Sequence, residues 1–67
     1  MKIEEIGDLI KRRRKALGIT QSDAAELAGV AVHTLSNIES GKANPTIEVL
    51  TSVLEVLGLE LRVEVGS

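Results

Sequence analysis

The 67-residue chain has no cysteine, phenylalanine, tyrosine or tryptophan, and only one proline, one methionine and one histidine. Each scarcity excludes something. Without cysteine there is no disulfide and no thiolate zinc site, which fits a reducing interior. One histidine, His33, builds no metal site alone, and nothing in the chain calls for a cofactor. Without aromatic rings the core is left to Leu, Ile, Val and Ala, which bury less area per side chain. No apolar run approaches the roughly 18 residues of a membrane span, and the N-terminus lacks a secretory apolar stretch. The expectation is a cytoplasmic protein with no membrane partner. A chain of this length forms one domain and buries only about 60% of its unfolded surface, so its stability alone is marginal. Small domains of this kind gain a staple, and association with another copy is the one left.

What is present is unevenly spread. The net charge is −2 and the pI about 5.3, yet five of the eight basic residues form one block, "KRRRK" at 11–15, and Lys42 is a sixth. Acids dominate both ends. Local potential, and not net charge, governs how a polyanion approaches.

Ile3, Ile6, Leu9, Ile10 and Leu17 recur at helical spacing before Gly18, which predicts a first helix, with Gly7 weakening its first turn. In "TQSD" the Thr20 hydroxyl can take a free amide and Asp23 can reach back, so a second helix is expected over 21–28, with Ala24, Leu27 and Ala28 inward and Gly29 as its stop. A third helix is expected over 32–40, ending at Gly41. Pro45 holds "KANPT" as a loop. Thr46 then caps a fourth helix whose Ile47, Leu50, Val53, Leu54 and Leu57 form a wide apolar face up to Gly58. The period then changes: in "LELRVEV", Leu59, Leu61, Val63 and Val65 alternate with Glu60, Arg62 and Glu64, a strand pattern. One strand cannot satisfy its own backbone. It folds against the helices unpaired or pairs with the same strand of another copy, and a two-fold dimer joined by an antiparallel ribbon satisfies both its amides and its apolar face.

The stretch "GVAVHTLSN" carries the functional signal. Only three residues separate the second and third helices, the spacing of a helix-turn-helix, whose second helix enters the DNA major groove. At 100° per residue, positions 32, 33, 36 and 37 share one face and 35 and 38 lie roughly opposite. Leu35 and Ile38 point inward, while Val32, His33, Ser36 and Asn37 form a polar face without charge. Asn37 can pair with an adenine edge, His33 can donate to guanine or phosphate, Val32 can pack on a thymine methyl, and Ser36 can bond to either base or phosphate. An enzyme is excluded at this level, since there is no second histidine and no glycine-rich phosphate loop.

The segment "LGITQSDAAELAGVAVHTLSNIESGKANPTIEVLTSVLEVLG" resembles the DNA-binding domain of the Xre and Cro/lambda-repressor group. "LGITQ", "LAGV", "TLSNIESGK" and "NPT" stand in that family's order and spacing. The resemblance covers residues about 6–58 and implies an all-α, four-helix lambda-repressor-like domain over residues 1–58 that binds a DNA operator. It sets Val32, His33 and Asn37 at base-reading positions and Gln21, Ser40 and Lys42 at the DNA backbone, with Asn44 in the same loop. It also implies an internal ion pair of Arg14 with Glu39, which agrees with Arg14 falling on or beside the apolar stripe of the first helix, where a guanidinium needs a carboxylate. Asp8 can offset Lys11 or Arg12 at helical spacing. Two departures stand out: Ala31 sits where the family often has a capping Ser, and Ala24 thins the core. With few cations near the groove, one copy binds weakly, and a homodimer reaching two half-sites of a palindromic operator about 34 Å apart is expected.

The ending "LGLELRVEV", the dimerisation segment 59–67 with Leu59, Leu61, Val63 and Val65, resembles that of the HipB-type antitoxins. By resemblance, such a protein represses its own operon and binds a HipA-type serine/threonine kinase toxin. The alternatives are a stand-alone phage-type or housekeeping Xre regulator without a toxin, and a module that uses the same fold to hold a protein.

Overall fold

The computed structural model describes residues 1–66; Ser67, the last residue of the expected dimerisation segment, lies outside them. Four helices follow in order: α1 Ile3–Ala16, α2 Gln21–Ala28, α3 Val32–Glu39 and α4 Ile47–Val56. The expected boundaries hold to within two residues, with Ser40 capping α3 instead of ending it.

Local chemistry accounts for the boundaries. Thr20 Oγ1 accepts from the Asp23 amide at 3.0 Å, and Thr46 Oγ1 from the Val49 amide at 3.1 Å. Each satisfies one of the amides a helix start leaves free. The expected return bond from the Asp23 carboxylate is not formed. Ala31 begins α3 with no side-chain cap, as its missing hydroxyl requires. Gly29 takes φ 72° after α2, a left-handed turn that any side chain would strain, and the Val30 amide bonds back to the Ala25 carbonyl at 3.0 Å.

Helix α1 packs on α3, and α2 packs on both α3 and α4. Ile10, Leu35, Ile38, Val53 and Leu57 sit at the centre with Ala24, Ala25, Leu50 and Leu54 around them. Two inward assignments are corrected. Leu27 is 69% exposed and Ala25 takes its place. With Ala24, Ala25 and Ala28 defining the buried face of α2, Leu27 lies about 110° from its centre at 100° per residue. Ile47, the first residue of α4, is 67% exposed and borders an open groove with the tail. Leu9 and Leu17 are likewise more exposed than their spacing suggested.

Gly7 lies within α1, buried against the end of α3, and the helix runs through it without a break. A Cβ here would collide with the Ile38 carbonyl oxygen and stand 3.2 Å from the Ile38 carbonyl carbon and 3.3 Å from the Glu39 oxygen. The glycine is the contact that lets α1 approach α3.

The expected C-terminal strand is corrected: among the described residues no strand forms, and 59–66 carry no regular secondary structure. The Leu59 amide closes α4 by bonding to the Leu54 carbonyl at 2.9 Å, and Leu59 is half-buried. Beyond it the apolar side chains lose cover, with Val63 at 96% and Val65 at 100% exposure. The reason is elementary: a strand is a ladder between two backbones, and a single copy offers no second one. No described helix is long and apolar enough to cross a membrane.

Candidate nucleic-acid interface

The short turn after Gly29 sets the face of α3 that the core does not use. Burial of Leu35, Ile38 and Glu39 fixes the rotation of the helix. Val32 and His33 are exposed in its first turn, whereas Ser36 and Asn37 are half-buried one turn later. The four residues share the outward face as expected, graded from open to partly covered. The first turn carries no acid and no capping side chain, so the dipole's positive end is uncompensated there.

The residues expected at a DNA backbone gather around the end of α3. The Asn37 carbonyl accepts from the Ser40 hydroxyl at 3.1 Å and from the Lys42 amide at 3.0 Å. These bonds fold the loop back onto the reading helix and leave the Lys42 and Asn44 side chains exposed. Ser40 commits its one hydroxyl hydrogen to Asn37, so to donate elsewhere it must rotate.

Arg14 and Glu39 meet as the resemblance implied. Arg14 Nε and Nη2 donate to Glu39 Oε2 and Oε1 at 2.6 and 3.0 Å, a two-pronged pair with both residues buried. Arg14 Nη1 donates to the Ile19 carbonyl at 2.8 Å, and Gln21 Nε2 to Glu39 Oε1 at 3.0 Å. Burial works to raise the Glu39 carboxyl, but hydrogen bonds from Arg14 and Gln21, with the charges of Arg14 and Lys11, outweigh it and hold the group below the ordinary carboxylate range. The Glu39 hydrogen bond holds the Arg14 guanidinium above its usual value, against the effect of burial.

The basic run is thereby dispersed. Arg12 Nε pairs with Asp8 at 2.9 Å on the exposed side of α1. Arg13 Nε donates to the Leu57 carbonyl at 2.9 Å and so caps α4. Lys11 and Lys15 are exposed. Sequence reasoning missed two roles. The Arg13 cap could have been suspected from α4, whose last turn has no cation of its own to meet its free carbonyls. The Gln21–Glu39 bond had no sequence signal, since it depends on the angle between α2 and α3.

Among the described residues no group of acidic, His or Cys side chains could hold a metal ion. Among the described residues, open grooves lie between α4 and the tail and beside Ile19, Asp23 and Leu27.

The geometry agrees with known proteins. A helix-turn-helix family model matches residues 10–63. The chain is 36% identical over 58 residues to endothelial differentiation-related factor 1 of Rattus norvegicus, spanning 87% of this chain and 39% of that protein. It is 38% identical over 55 residues to the HTH-type transcriptional regulator PuuR of Escherichia coli, spanning 82% of this chain and 30% of that one. An HTH-type transcriptional regulator of Methanothermobacter thermautotrophicus is 36% identical over 52 residues, covering 78% and 75% of the two chains. The chain thus spans well under half of the rat and E. coli proteins. The crystal structure of the restriction-modification controller protein C.AhdI from Aeromonas hydrophila shares the fold with a TM-score of 0.82 at 22% identity, covering 87% of this chain and 88% of that one. Two of these relatives are named as HTH-type transcriptional regulators, and C.AhdI shares the fold. This chain belongs to the helix-turn-helix family.

Proposed function

We propose that the chain is a sequence-specific DNA-binding domain of a transcriptional regulator, acting as a repressor, with α3 in the major groove. The observation that carries this reading is the division of α3: Leu35 and Ile38 are buried while Val32, His33, Ser36 and Asn37 face out across a three-residue turn from α2. Val32, His33, Ser36 and Asn37 read base edges; Gln21, Ser40, Lys42 and Asn44 meet the backbone. The test is selection of duplexes from a random pool, followed by affinity measurements on the wild type and Asn37→Ala. Loss of a two-point contact to a base weakens binding to the selected duplex about 10- to 100-fold and leaves a scrambled duplex nearly unaffected. Equal affinities of the two proteins for the selected duplex refute the reading.

The active form in this proposal is a homodimer on a palindromic operator, joined through Leu59, Leu61, Val63 and Val65. Support comes from the tail's exposed apolar side chains and from the groove it lines with Ile47, Thr51 and Leu54. Antiparallel pairing of two tails covers both. Deleting residues 59–67 is expected to convert the dimer into a monomer by sedimentation and to lower the melting temperature. A truncated chain that stays an equally stable dimer moves the interface elsewhere.

The alternation of the tail further supports a HipB-like antitoxin that also holds a HipA-type kinase toxin. A stand-alone regulator without a toxin is the second reading, favoured by relatives described as transcriptional regulators. Co-purification with the product of a neighbouring kinase gene separates the two, and its absence leaves the stand-alone regulator.

A further inference from the structure

The charges between the apolar positions of the tail limit how two copies can join. Glu60, Arg62 and Glu64 alternate with Leu61, Val63 and Val65. Arg62 already meets Glu60 two residues back: its Nε and Nη2 both lie 3.3 Å from Glu60 Oε2, exposed to solvent. Leu61 and Val63 border the groove that Ile47, Thr51 and Leu54 line on α4.

In an antiparallel pair, residues directly opposite each other point to the same face. Two tails that both turn their apolar residues toward the helices therefore set odd positions against odd and even against even. One residue then lies on the two-fold axis and faces its own copy. With Glu60, Arg62 or Glu64 on the axis, that residue meets a like charge, which destabilises the pair. Parallel pairing sets every charge beside its own copy. With Leu59 or Val65 on the axis, Arg62 faces no acid of the partner tail. Two registers remain: Leu61 on the axis sets Arg62 against the partner's Glu60, and Val63 on the axis sets it against the partner's Glu64. Exposure separates them. The Leu61 register draws on Leu59, which is half-buried and whose amide already closes α4, and it sets the fully exposed Val65 against Leu57 in the core. The Val63 register spans 61–65, leaves Leu59 in place and covers Val63 and Val65, the side chains left at 96% and 100% exposure.

We propose that two copies of the chain pair their tails antiparallel with Val63 on the two-fold axis, so that Arg62 of each copy bonds the partner's Glu64. This rests on the homodimer reading above and specifies which residues meet. The outer face of the ribbon then carries two ion pairs between the copies. The inner face sets Val63 on the partner's Val63 and each Leu61 on the partner's Val65, over the α4 groove. Exposed ion pairs add little strength each, so the charges select the register while the apolar side chains supply the association.

The chain has no cysteine, so single cysteines report the register directly. Leu61→Cys, Arg62→Cys and Val63→Cys are made in the full chain, oxidised under identical conditions and compared by the rate of covalent dimer formation. A disulfide needs Cα atoms within about 7 Å of each other. In the Val63 register only the Val63→Cys thiols meet across the axis, while those of Arg62→Cys and Leu61→Cys are offset along the ribbon by about 7 and 13 Å, besides the spacing between strands. Val63→Cys is therefore expected to crosslink at least about tenfold faster than the other two, since its thiols are held together at high effective concentration. Charge reversal gives a second readout on the unoxidised chain: Glu64→Arg should weaken the dimer about tenfold, and adding Arg62→Glu should restore it. Faster crosslinking of Leu61→Cys or Arg62→Cys, or an unchanged dimer in Glu64→Arg, overturns the register and leaves the homodimer reading standing. A chain that sediments as a dimer but crosslinks in none of the three variants overturns the ribbon itself. A wild type that sediments as a monomer overturns the homodimer reading and the register with it.

Discussion

Replacing Glu39 by alanine is expected to remove most of the stability of the domain. The carboxylate receives Arg14 Nε at 2.6 Å, Arg14 Nη2 at 3.0 Å and Gln21 Nε2 at 3.0 Å. Without it, a guanidinium that is only 8% exposed keeps one partner, the Ile19 carbonyl. Breaking a buried pair by removing one member costs about 3–5 kcal/mol, because the remaining charge is left in a poor solvent. Small domains have totals near the low end of about 5–15 kcal/mol, so the loss is comparable to the whole. Chemical denaturation followed by circular dichroism should find Glu39→Ala largely unfolded in buffer. The double variant Arg14→Met/Glu39→Leu, which removes both charges, should recover much of the loss. A Glu39→Ala protein that melts within a few degrees of the wild type contradicts the assignment.

The same pair sets an acid limit. Because folding lowers the Glu39 carboxyl from its ordinary value of 4.5, the stability its ionisation contributes is complete above about pH 4.5 and is lost as pH falls through the depressed folded value. An acid titration of the wild type should show this loss, and Glu39→Gln should not.

Gly7→Ala is expected to destabilise, against the usual sign for alanine in a helix. Helix propensity alone favours the change by about 1 kcal/mol. The new methyl, however, meets main-chain atoms of Ile38 and Glu39. These cannot swing aside as a flexible side chain would, since the Ile38 carbonyl already accepts the Gly41 amide at 3.1 Å and ends α3. Forcing atoms into a packed contact costs about 1–3 kcal/mol and sometimes more. The clash wins, and because Glu39 follows Ile38, the displacement also disturbs the Arg14 pair. A thermal melt lower than the wild type by several degrees is the expected result. A melt at or above the wild-type temperature would mean that α1 and α3 are not in this close contact.

The helices were legible because their signals are local. Thr20 and Thr46 announce starts, the glycines at 18, 29, 41 and 58 announce ends, and Leu35 and Ile38 fix which side of α3 is free. The Arg14–Glu39 pair, 25 positions apart, was legible only through resemblance together with Arg14's place beside an apolar stripe. What escaped depends on the angles between helices. Leu27 looked inward until the buried face of α2 was seen to centre on Ala24, Ala25 and Ala28. Gly7 looked like a weak point in α1 until the end of α3 was seen lying against it. Arg13 stood in the basic block and Gln21 was placed at the DNA backbone, and each spends a donor inside the protein, on the Leu57 carbonyl and on Glu39. The tail's alternation was read correctly as a pattern, but pattern alone does not make a strand where no second backbone is at hand.

The most direct test of the proposed reading surface is an amide chemical-shift map of the isotope-labelled chain titrated with its selected duplex. The expected perturbations centre on 32–37, with further changes at Gln21 and 40–44, and Val32 methyls should give contacts to thymine methyls. Perturbations centred on Leu27, Ile47 or the tail, with α3 unmoved, would contradict a groove-reading α3.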